Sequence, residues 1–406
     1  MVIPSFPRTL GLAAALIACA TGAWAQEPPV SREAQIAAAQ AEKAEHLAPE
    51  QKNFIERRFL ALEGSGGFGA VRPLSVTFGG IKSGSGPAMG AAFGHQFPGG
   101  SFVQAKAVYS IRNFKLLQLH HHFEPLGDNR FVIDTRGRWQ DAPVLPFYGV
   151  GPDSTKSPRA DYSEEKTEVS AQALMEPIRF LRFGVGTGYE RFNLGASRSI
   201  RSSIADLFPP PRAPGAGTTT TFVHSFARAG IDTRTSPGYS RSGTLLEATL
   251  HDYRDRSDGR YTFQRTEAIV QQLIPLLHGN WVIDLSARAW STSASDGHEV
   301  PFFLMPQLGG GRLLRGYPSY RFRDRHALLL TGEYRWYVQE YVDGVLFYEA
   351  GTVASRRDDL DLDSLKNSYG GGLNFHTPAS TVLRLQLARS REGLHFIIGF
   401  GFGGGL

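Results

Sequence analysis

The arginines of a glycine-punctuated segment, residues 308–325, have the most evident chemistry in this sequence. The segment reads Leu-Gly-Gly-Gly-Arg-Leu-Leu-Arg-Gly-Tyr-Pro-Ser-Tyr-Arg-Phe-Arg-Asp-Arg, which is more arginine than a loop needs for solubility. A guanidinium in a partly desolvated interior must find anionic or carbonyl partners, because leaving it unpaired is costly. We therefore predict that Arg315 makes ion pairs inside the fold. Gly316 beside it lets the loop backbone approach a wall closely.

The partners of Arg315 are predicted from the strands that follow. Leu328, Leu330, Gly332, Tyr334 and Trp336 fall on one strand face, which places Glu333 on the other face. Glu349 alternates in the same way with Leu346, Tyr348 and Ala350. We predict that Arg315 pairs with Glu349 or Glu333. Whether the pair only anchors the loop or also takes part in transport is left open by the sequence.

Other residue types that could do chemistry lack a supporting context. His120, His121 and His122 suggest a metal site, but on a strand the first and third share one face and the second points away. His251, His326 and His395 have no nucleophile context, and Gly309 to Gly311 are not followed by the strand-to-helix transition of a phosphate loop. We predict no catalytic residue, no metal and no cofactor, and we expect that the protein is not an enzyme.

The elements that position these residues are predicted to be the strands of a transmembrane barrel. Hydrophobic residues make up 41% of the chain and the mean hydropathy is −0.22, which is typical of a soluble protein but also of a barrel, where only alternate residues face lipid. A soluble β domain would not need aromatic strand ends and charged residues on the enclosed face. The pattern predicts an all-β barrel of about 16 antiparallel strands over residues 71–406. The apolar sets are Leu74, Val76 and Phe78; Val103, Ala105, Ala107 and Tyr109; Trp281, Ile283, Leu285, Ala287 and Ala289; Leu383, Leu385 and Leu387; and Leu394, Phe396, Ile398, Phe400 and Phe402.

Residues 1–25 are predicted to be a signal peptide. Arg8 supplies a basic start, residues 10–18 are apolar but shorter than the roughly 20 residues of a membrane helix, and Ala23-Trp24-Ala25 is a small-x-small cleavage site. A competing interpretation is a lipoprotein box, Leu16-Ile17-Ala18-Cys19, with lipid on the cysteine. Cys19 is the only cysteine in the chain, so disulfides are not expected in the exported protein.

Residues 26–70 differ in composition from both neighbours. Strong helix formers run from Ser31 to Leu47, and Pro49 begins a second short helical pattern with a better apolar stripe. We predict a helical periplasmic extension, either a simple tail or a lid on the barrel mouth, joined to the barrel by the glycine-rich linker 64–69. Long extracellular loops are predicted at 143–163, 196–218 and 296–323, because the periplasmic turns of such barrels are short.

Several of these motifs, in this order, resemble those of one family. Leu314-Arg315-Gly316-Tyr317 is similar to the V-R-G-F signature of the BamA/TamA-like (bacterial surface antigen) superfamily of outer-membrane barrels, where the motif lies on the sixth surface loop and tucks into the lumen. The resemblance implies that carboxylates on the inner wall hold Arg315. It covers essentially residues 71–406. The further matching segments are Pro146 to Ser154 with Asp161-Tyr162, Phe347-Tyr-Glu-Ala-Gly351, Tyr369 to Leu373, and Leu383 to Ser390.

The sequence departs from the family in three places. Glu349 stands where the family's F-x-D-x-G strand usually has aspartate, and Gln386 where the R-L-D-x-A strand often has one. The segment 26–70 does not fit a periplasmic POTRA domain, so the chain resembles a member without that module. The alternating aromatic strand 394–402 resembles an outer-membrane sorting signal, although the chain ends at Leu406 rather than at phenylalanine.

The resemblance implies a barrel that assists insertion or translocation of protein or lipid through a lateral seam. In the family the first and last strands pair weakly, and Pro73 and the glycines near the C-terminus would weaken such pairing here. The alternatives are a passive pore and a structural surface antigen. Expected partners are outer-membrane lipid, lipopolysaccharide and a nascent membrane protein or lipid as cargo, but no nucleic acid; the oligomeric state stays open. The seam residues so named are Pro73, Val76, Phe78, Phe396, Gly399, Phe400, Gly401 and Phe402.

Overall fold

The structure is a computed structural model and describes residues 71–400 apart from residues 129, 210, 237 and 379. Sixteen antiparallel strands follow one another in chain order around a nearly closed barrel, so the predicted fold class and strand number are confirmed. The signal peptide, the helical extension, Gly401 and Phe402 lie outside the described residues. The strands are β1 Ser75–Gly79, β2 Ala88–Gln96, β3 Phe102–Ser110, β4 Lys115–His122, β5 Phe131–Phe147, β6 Ala160–Ile178, β7 Leu181–Ala196, β8 Thr219–Asp232, β9 Gly243–Asp255, β10 Phe263–Leu276, β11 Trp281–Ser293, β12 His326–Gln339, β13 Val342–Ala354, β14 Lys366–His376, β15 Thr381–Ser390 and β16 Gly393–Phe400.

The two faces of the wall differ as the sequence alternation predicts. Leu74, just before β1, and Val76 and Phe78 on β1 are exposed on the outer face. Phe396 and Ile398 on β16 are exposed in the same way. Polar and charged side chains of other strands point inward and pair with one another, as Gln386 of β15 does with Asn374 of β14 and Arg335 of β12 with Asp284 of β11. An apolar outer face with a polar interior is what a barrel surrounded by lipid requires.

The connections divide into a long-loop end and a short-turn end, because successive strands are antiparallel. The loops 148–159, 197–218 and 294–325 all leave the long-loop end, whereas most connections at the other end are tight turns. The first loop is shorter than predicted, since 143–147 and 160–163 continue β5 and β6. Among the described residues, no helix is both long and apolar enough to cross a membrane. The short helical elements are α1 Ile204–Leu207 and the 3-10 turns Pro98–Gly100, Leu277–Gly279, Phe302–Leu304 and Arg357–Asp359.

An aromatic cluster fills the interior near the long-loop end. Phe302, in the loop 294–325, is fully buried and packs edge-on against Phe147 of β5 and Tyr162 of β6. Phe303 reaches Phe192 of β7. Edge-to-face rings of this kind add to the stabilisation from burial. The cluster therefore fixes the loop 294–325 against the inner wall.

The barrel has one seam where neighbouring strands share no ladder. Each pair of consecutive strands, from β1–β2 to β15–β16, is joined by an antiparallel register. Strands β1 and β16 approach within 8 Å between Cα atoms, but within residues 71–400 no register joins them. β1 has only five residues and β16 eight. Within the described residues, the barrel is thus nearly closed, with its first and last strands adjacent but joined by no shared register.

Candidate functional site

The loop 294–325, here called the plug loop, folds back into the barrel. Two short strands inside it, Gln307–Leu308 and Phe322–Arg323, pair with each other. Between them Gly309 and Gly310 have φ of 110° and 103°, a region that favours glycine. Leu314 has φ of 61° and is fully buried with Leu308 and Tyr317. This hairpin places Arg315 at its inward tip.

Arg315 is held by the inner wall through charge-assisted hydrogen bonds. Its Nε donates to Oε1 of Glu349 at 2.9 Å, and its Nη1 donates to Oε2 of Glu333 at 3.1 Å. The backbone N–H of Arg315 donates to the other Glu349 oxygen at 2.5 Å. Arg315 is 6% exposed and Glu349 1%. The structure therefore brings together the arginine and both carboxylates named from the sequence; their part in transport stays a prediction.

The strand segment Phe347-Tyr-Glu-Ala-Gly351 holds the plug loop with three alternate residues. Because side chains on a strand repeat every two residues, Phe347, Glu349 and Gly351 all face inward. The Arg315 guanidinium lies over the Phe347 ring, and Glu349 binds the same group. A Cβ on Gly351 would lie 3.0 Å from a Leu308 methyl. The motif thus combines a cation–π contact, an ion pair and a close backbone approach.

Gly316 is locked between β14 and β15. Its N–H donates to the Ser368 hydroxyl at 2.6 Å, and its carbonyl accepts from the Ser390 hydroxyl at 2.6 Å. A Cβ at this position would lie 2.7 Å from Ser368 Oγ and 2.8 Å from the Arg389 carbonyl oxygen. Glycine is therefore required by space at this position rather than by an unusual backbone angle.

Gln386 on β15 is a partner of Arg315 that the sequence reasoning missed. Its Oε1 accepts from Arg315 Nη1 at 3.0 Å, and its amide nitrogen donates to Asn374 Oδ1 at 2.8 Å. Gln386 had been noted only as a departure from an aspartate. The available signal was its inward position on β15 within the matching segment Leu383 to Ser390. At this position the amide oxygen of Gln386 accepts the hydrogen bond in place of a carboxylate oxygen.

Two further arginines hold the outer part of the plug loop: Arg321 binds residues of other loops, and Arg323 binds residues within the plug loop itself. Arg321 Nε donates to both Glu392 oxygens, at 2.8 and 3.0 Å, and its Nη2 donates to the Ser154 carbonyl at 2.7 Å. Arg323, 1% exposed, donates to the Phe302 carbonyl at 3.1 Å and to Gln307 Oε1 at 3.0 Å. The abundance of arginine in this loop is explained by these separate anchors.

The turn 233–242, here called the crossing turn, reaches across the short-turn end of the barrel. It joins β8 to β9, yet the N–H of Thr381 on β15 donates to the Gly238 carbonyl at 3.1 Å. The Tyr239 hydroxyl donates to Asp343 Oδ2 on β13 at 2.7 Å, and its ring stacks 3.7 Å from that of His376. Arg241 also pairs with Asp343, at 3.1 Å. The sequence analysis did not identify these residues, because it expected every turn at this end to be short.

A polar cavity of about 190 Å³ lies in the lumen between the plug loop and the crossing turn. Its walls come from β10 to β15. It is bounded by Arg315 on one side and by Tyr239 on the other. Arginines and carboxylates make up much of its lining. These are Arg234, Arg288, Arg312, Arg315, Arg335, Arg384, Asp284, Glu333 and Glu349.

The histidines considered from the sequence are engaged in the wall. His120 and His122 both contact the same oxygen of Asp134, at 2.8 and 2.9 Å. His251 contacts His224, which in turn contacts Glu190. In the part of the chain that the structure describes, no group of three or more His, Cys, Asp or Glu side chains is arranged to hold a metal ion.

The seam residues lie where the strand pattern places them. Pro73 precedes β1 and is exposed; Val76 and Phe78 on β1 and Phe396 on β16 face outward. Gly399 and Phe400 end β16. Strands β1 and β16, which carry or border these residues, approach each other within 8 Å between Cα atoms. Gly401 and Phe402 lie outside the described residues, and the role of the seam in opening stays a prediction.

Comparison with known proteins identifies relatives of this barrel. The model of the Omp85 superfamily domain matches residues 181–405, more than half of the chain. The fold is similar to that of BamA from Haemophilus ducreyi lacking POTRA domains 1–3, at 16% identity and a TM-score of 0.59, covering 81% of this chain and 70% of that one. CdiB from Acinetobacter baumannii gives 10% identity and a TM-score of 0.49, covering 81% and 59%. A search of the curated proteins finds no significant match.

Proposed function

This chain belongs to the Omp85 superfamily of outer-membrane barrels, and we propose that it assists the insertion or translocation of protein or lipid through the seam between β1 and β16. One observation carries the proposal: these two strands are neighbours without a ladder over residues 71–400, whereas every other neighbouring pair is registered. A backbone edge that faces lipid has no water to bind. An incoming strand would satisfy that edge.

The contacts inside the lumen favour the seam, rather than a central channel, as the route of the transported protein or lipid. The plug loop is fixed by Arg315, Arg321 and Arg323, all nearly fully buried. The crossing turn spans the short-turn end through Tyr239 and Asp343. Opening a permanent pore would require breaking several of these contacts. The passive pore therefore stays the alternative, together with a structural surface antigen.

The proposed partners follow from the location of the barrel. The long-loop end is assigned to the cell exterior, where lipopolysaccharide is the neighbour, and the short-turn end with the N-terminal extension is assigned to the periplasm, because surface loops of such barrels are long. The cargo proposed is a nascent membrane protein or a lipid. Insertion of this kind needs no chemical catalysis, so the proposal assigns no enzymatic step.

A disulfide across the seam tests the proposal. Cysteine pairs are scanned over 75–79 and 394–399 in a Cys19→Ser background, and the barrel is reconstituted in vesicles. Two rates are measured: the folding of a urea-unfolded outer-membrane barrel protein into the vesicles, and the transbilayer exchange of a fluorescent phospholipid. We expect at least one rate to fall to the protein-free level on oxidation and to return on reduction.

The matched control is a pair across a normal ladder. Ser75 and Ala92 are register partners on β1 and β2, so a Ser75→Cys/Ala92→Cys disulfide should leave both rates unchanged. Full activity with the seam crosslinked would exclude a lateral gate. Steady conductance in planar bilayers, unaffected by the crosslink, would favour the passive pore instead.

A further inference from the structure

Three arginines on different elements face the lumenal cavity without a partner. Arg288 lies on β11, Arg312 on the plug loop and Arg384 on β15, and all three line the cavity. Within the described residues, none of their guanidinium groups makes a hydrogen bond or an ion pair, although Asp284 attracts Arg288 and Glu333 attracts Arg384 from a greater distance. Arg312 lies close enough to both of the others to repel them electrostatically. Three like charges that converge from separate elements are unfavourable unless something neutralises them.

The remaining charges of the cavity do not neutralise this set. Arg315 is paired with Glu349 and Glu333, Arg335 with Asp284, and Arg234 with Asp232. The lining holds six arginines and three carboxylates; adding Asp232, four carboxylates oppose six arginines. The cavity therefore has an excess of two positive charges (six minus four).

An independent sign of a missing acceptor comes from Arg335. Its side chain is 8% exposed and lines the cavity. Its Nε lies 3.7 Å from Glu333 Oε1, which is too far for a hydrogen bond, and in the described structure it has no other acceptor. Buried polar groups are nearly always satisfied, so a buried N–H without an acceptor indicates an absent ligand or solvent. The cavity also has room, because about 190 Å³ far exceeds the roughly 10–15 Å³ that one water needs.

We propose that this cavity, formed by Arg288, Arg312 and Arg384, binds a phosphate-type anion, either free or as the headgroup of a phosphorylated lipid. A phosphomonoester carries about −1.5 to −2 charges near neutral pH, which matches the excess of two positive charges. Its oxygens accept from several guanidinium groups at once, for which arginine is well suited. The bound anion would join the plug loop to β11 and β15 and so hold the loop in place. This site does not depend on the proposed function of the seam.

Anion binding is measured on the complete purified barrel in detergent. Inorganic phosphate, and chloride at matched ionic strength, are titrated while thermal unfolding and calorimetric heat are recorded. We expect saturable binding of phosphate and a rise in Tm that chloride does not produce. Arg384→Gln and Arg288→Gln should each weaken binding by about tenfold or more, since a hydrogen bond to a charged group contributes that much. Arg138→Gln is the matched control, because Arg138 faces the lumen on β5 outside this cavity.

The source of the anion is decided by a second titration. Short-chain phosphatidic acid is compared with short-chain phosphatidylcholine and with inorganic phosphate. Tighter binding of phosphatidic acid supports a lipid headgroup, and equal binding supports free phosphate. The proposal is wrong if phosphate and chloride act alike, or if Arg288→Gln and Arg384→Gln bind as the unaltered protein does while keeping its heat-modifiable migration. Neither result bears on crosslinking of the seam.

Discussion

Arg315 lies directly over the ring of Phe347, with the guanidinium carbon 3.5 Å from the ring centroid. The ring and the carboxylate of Glu349, two residues along the same strand, hold one guanidinium between them. A cation over an aromatic face is worth more when both are desolvated, and Arg315 is almost completely buried. The tip of the plug loop is therefore held by a cation–π contact and an ion pair at the same time.

Removing the arginine should destabilise the barrel. In Arg315→Ala the buried carboxylate of Glu349 loses the guanidinium and retains the backbone N–H of residue 315. Removing one charge of a buried ion pair typically costs about 3–5 kcal/mol. Urea unfolding of the purified barrel, followed by heat-modifiable migration, measures this loss. The control is Arg254→Ala, because Arg254 is 64% exposed and its partner Asp252 is 32% exposed, and a pair accessible to solvent contributes at most about 1 kcal/mol. Equal stability of the two variants would contradict the anchoring role.

Adding one methyl group at Gly316 should displace the plug loop. The new Cβ of Gly316→Ala would overlap Ser368 Oγ and the Arg389 carbonyl, and backbone cannot yield as a flexible side chain does. Overpacking of this kind costs roughly 1–3 kcal/mol. Gly137→Ala on β5 is the control, since nothing lies within 4 Å of its added Cβ. Limited proteolysis should cut within 294–325 faster in Gly316→Ala alone; equal rates would contradict the close approach.

Weakening the crossing turn should open the short-turn end. Tyr239→Phe removes the hydrogen bond to Asp343, worth about 1 kcal/mol, or roughly a fivefold change in local opening. The reporter is Ser240→Cys, a buried position, labelled by a membrane-impermeant thiol reagent in a Cys19→Ser background. Labelling of Ser240→Cys should be about fivefold faster when Tyr239→Phe is also present. Thr233→Cys, exposed on the same turn, should label at the same rate in both backgrounds.

The same turn should be insensitive to pH near neutrality. Burial, and then the neighbouring carboxylate of Asp343, raise the pKa of Tyr239 above its ordinary value of 10.0. A raised pKa in the folded state means that folding favours the protonated hydroxyl. The contribution of this hydroxyl to the stability of the turn is therefore complete below pH 10 and is lost only as the pH rises above that value. Because His376 stacks on this ring, the test is made above the range in which histidine ordinarily titrates. Labelling of Ser240→Cys, corrected for thiol ionisation with Thr233→Cys, should therefore be constant from about pH 7.5 to 9. A change within that interval would contradict the role of the Tyr239 hydroxyl.

Protease added to intact cells should cut the loop 197–218 in its first part, before α1. Its helix α1 and Ala213 are packed against the barrel, but Arg198 and Arg201 are more than half exposed and Ile200 is fully exposed. Trypsin should cleave at these arginines and spare residues 26–69. An Arg198→Gln/Arg201→Gln variant should resist cleavage there. Cleavage of the N-terminal segment in intact cells, with the loop spared, would reverse the assigned orientation.

The sequence by itself determined which strand residues face outward or inward and which arginine holds the plug loop. Alternation with a period of two depends only on neighbours along a strand, so the outward face of Val76 and the inward faces of Glu333 and Glu349 could be predicted. The motif around Arg315 added which loop enters the lumen. Glu349 could be named as a partner because alternation places it on the inner face, and because the family resemblance implies that carboxylates of the wall after the loop hold the arginine.

The remaining contacts were decided by the tertiary structure alone. Gly238 meets Thr381, and Arg288 comes to face Arg384, only because the barrel curves β8 to β15 around a common lumen. Nothing in the local pattern of these strands specifies which inward-facing residues lie at the same level along the barrel axis. Strand stagger and curvature fix those distances, which is why alternation predicted the inward side chains, while the crossing turn and the shared cavity emerged only from the closed arrangement of strands.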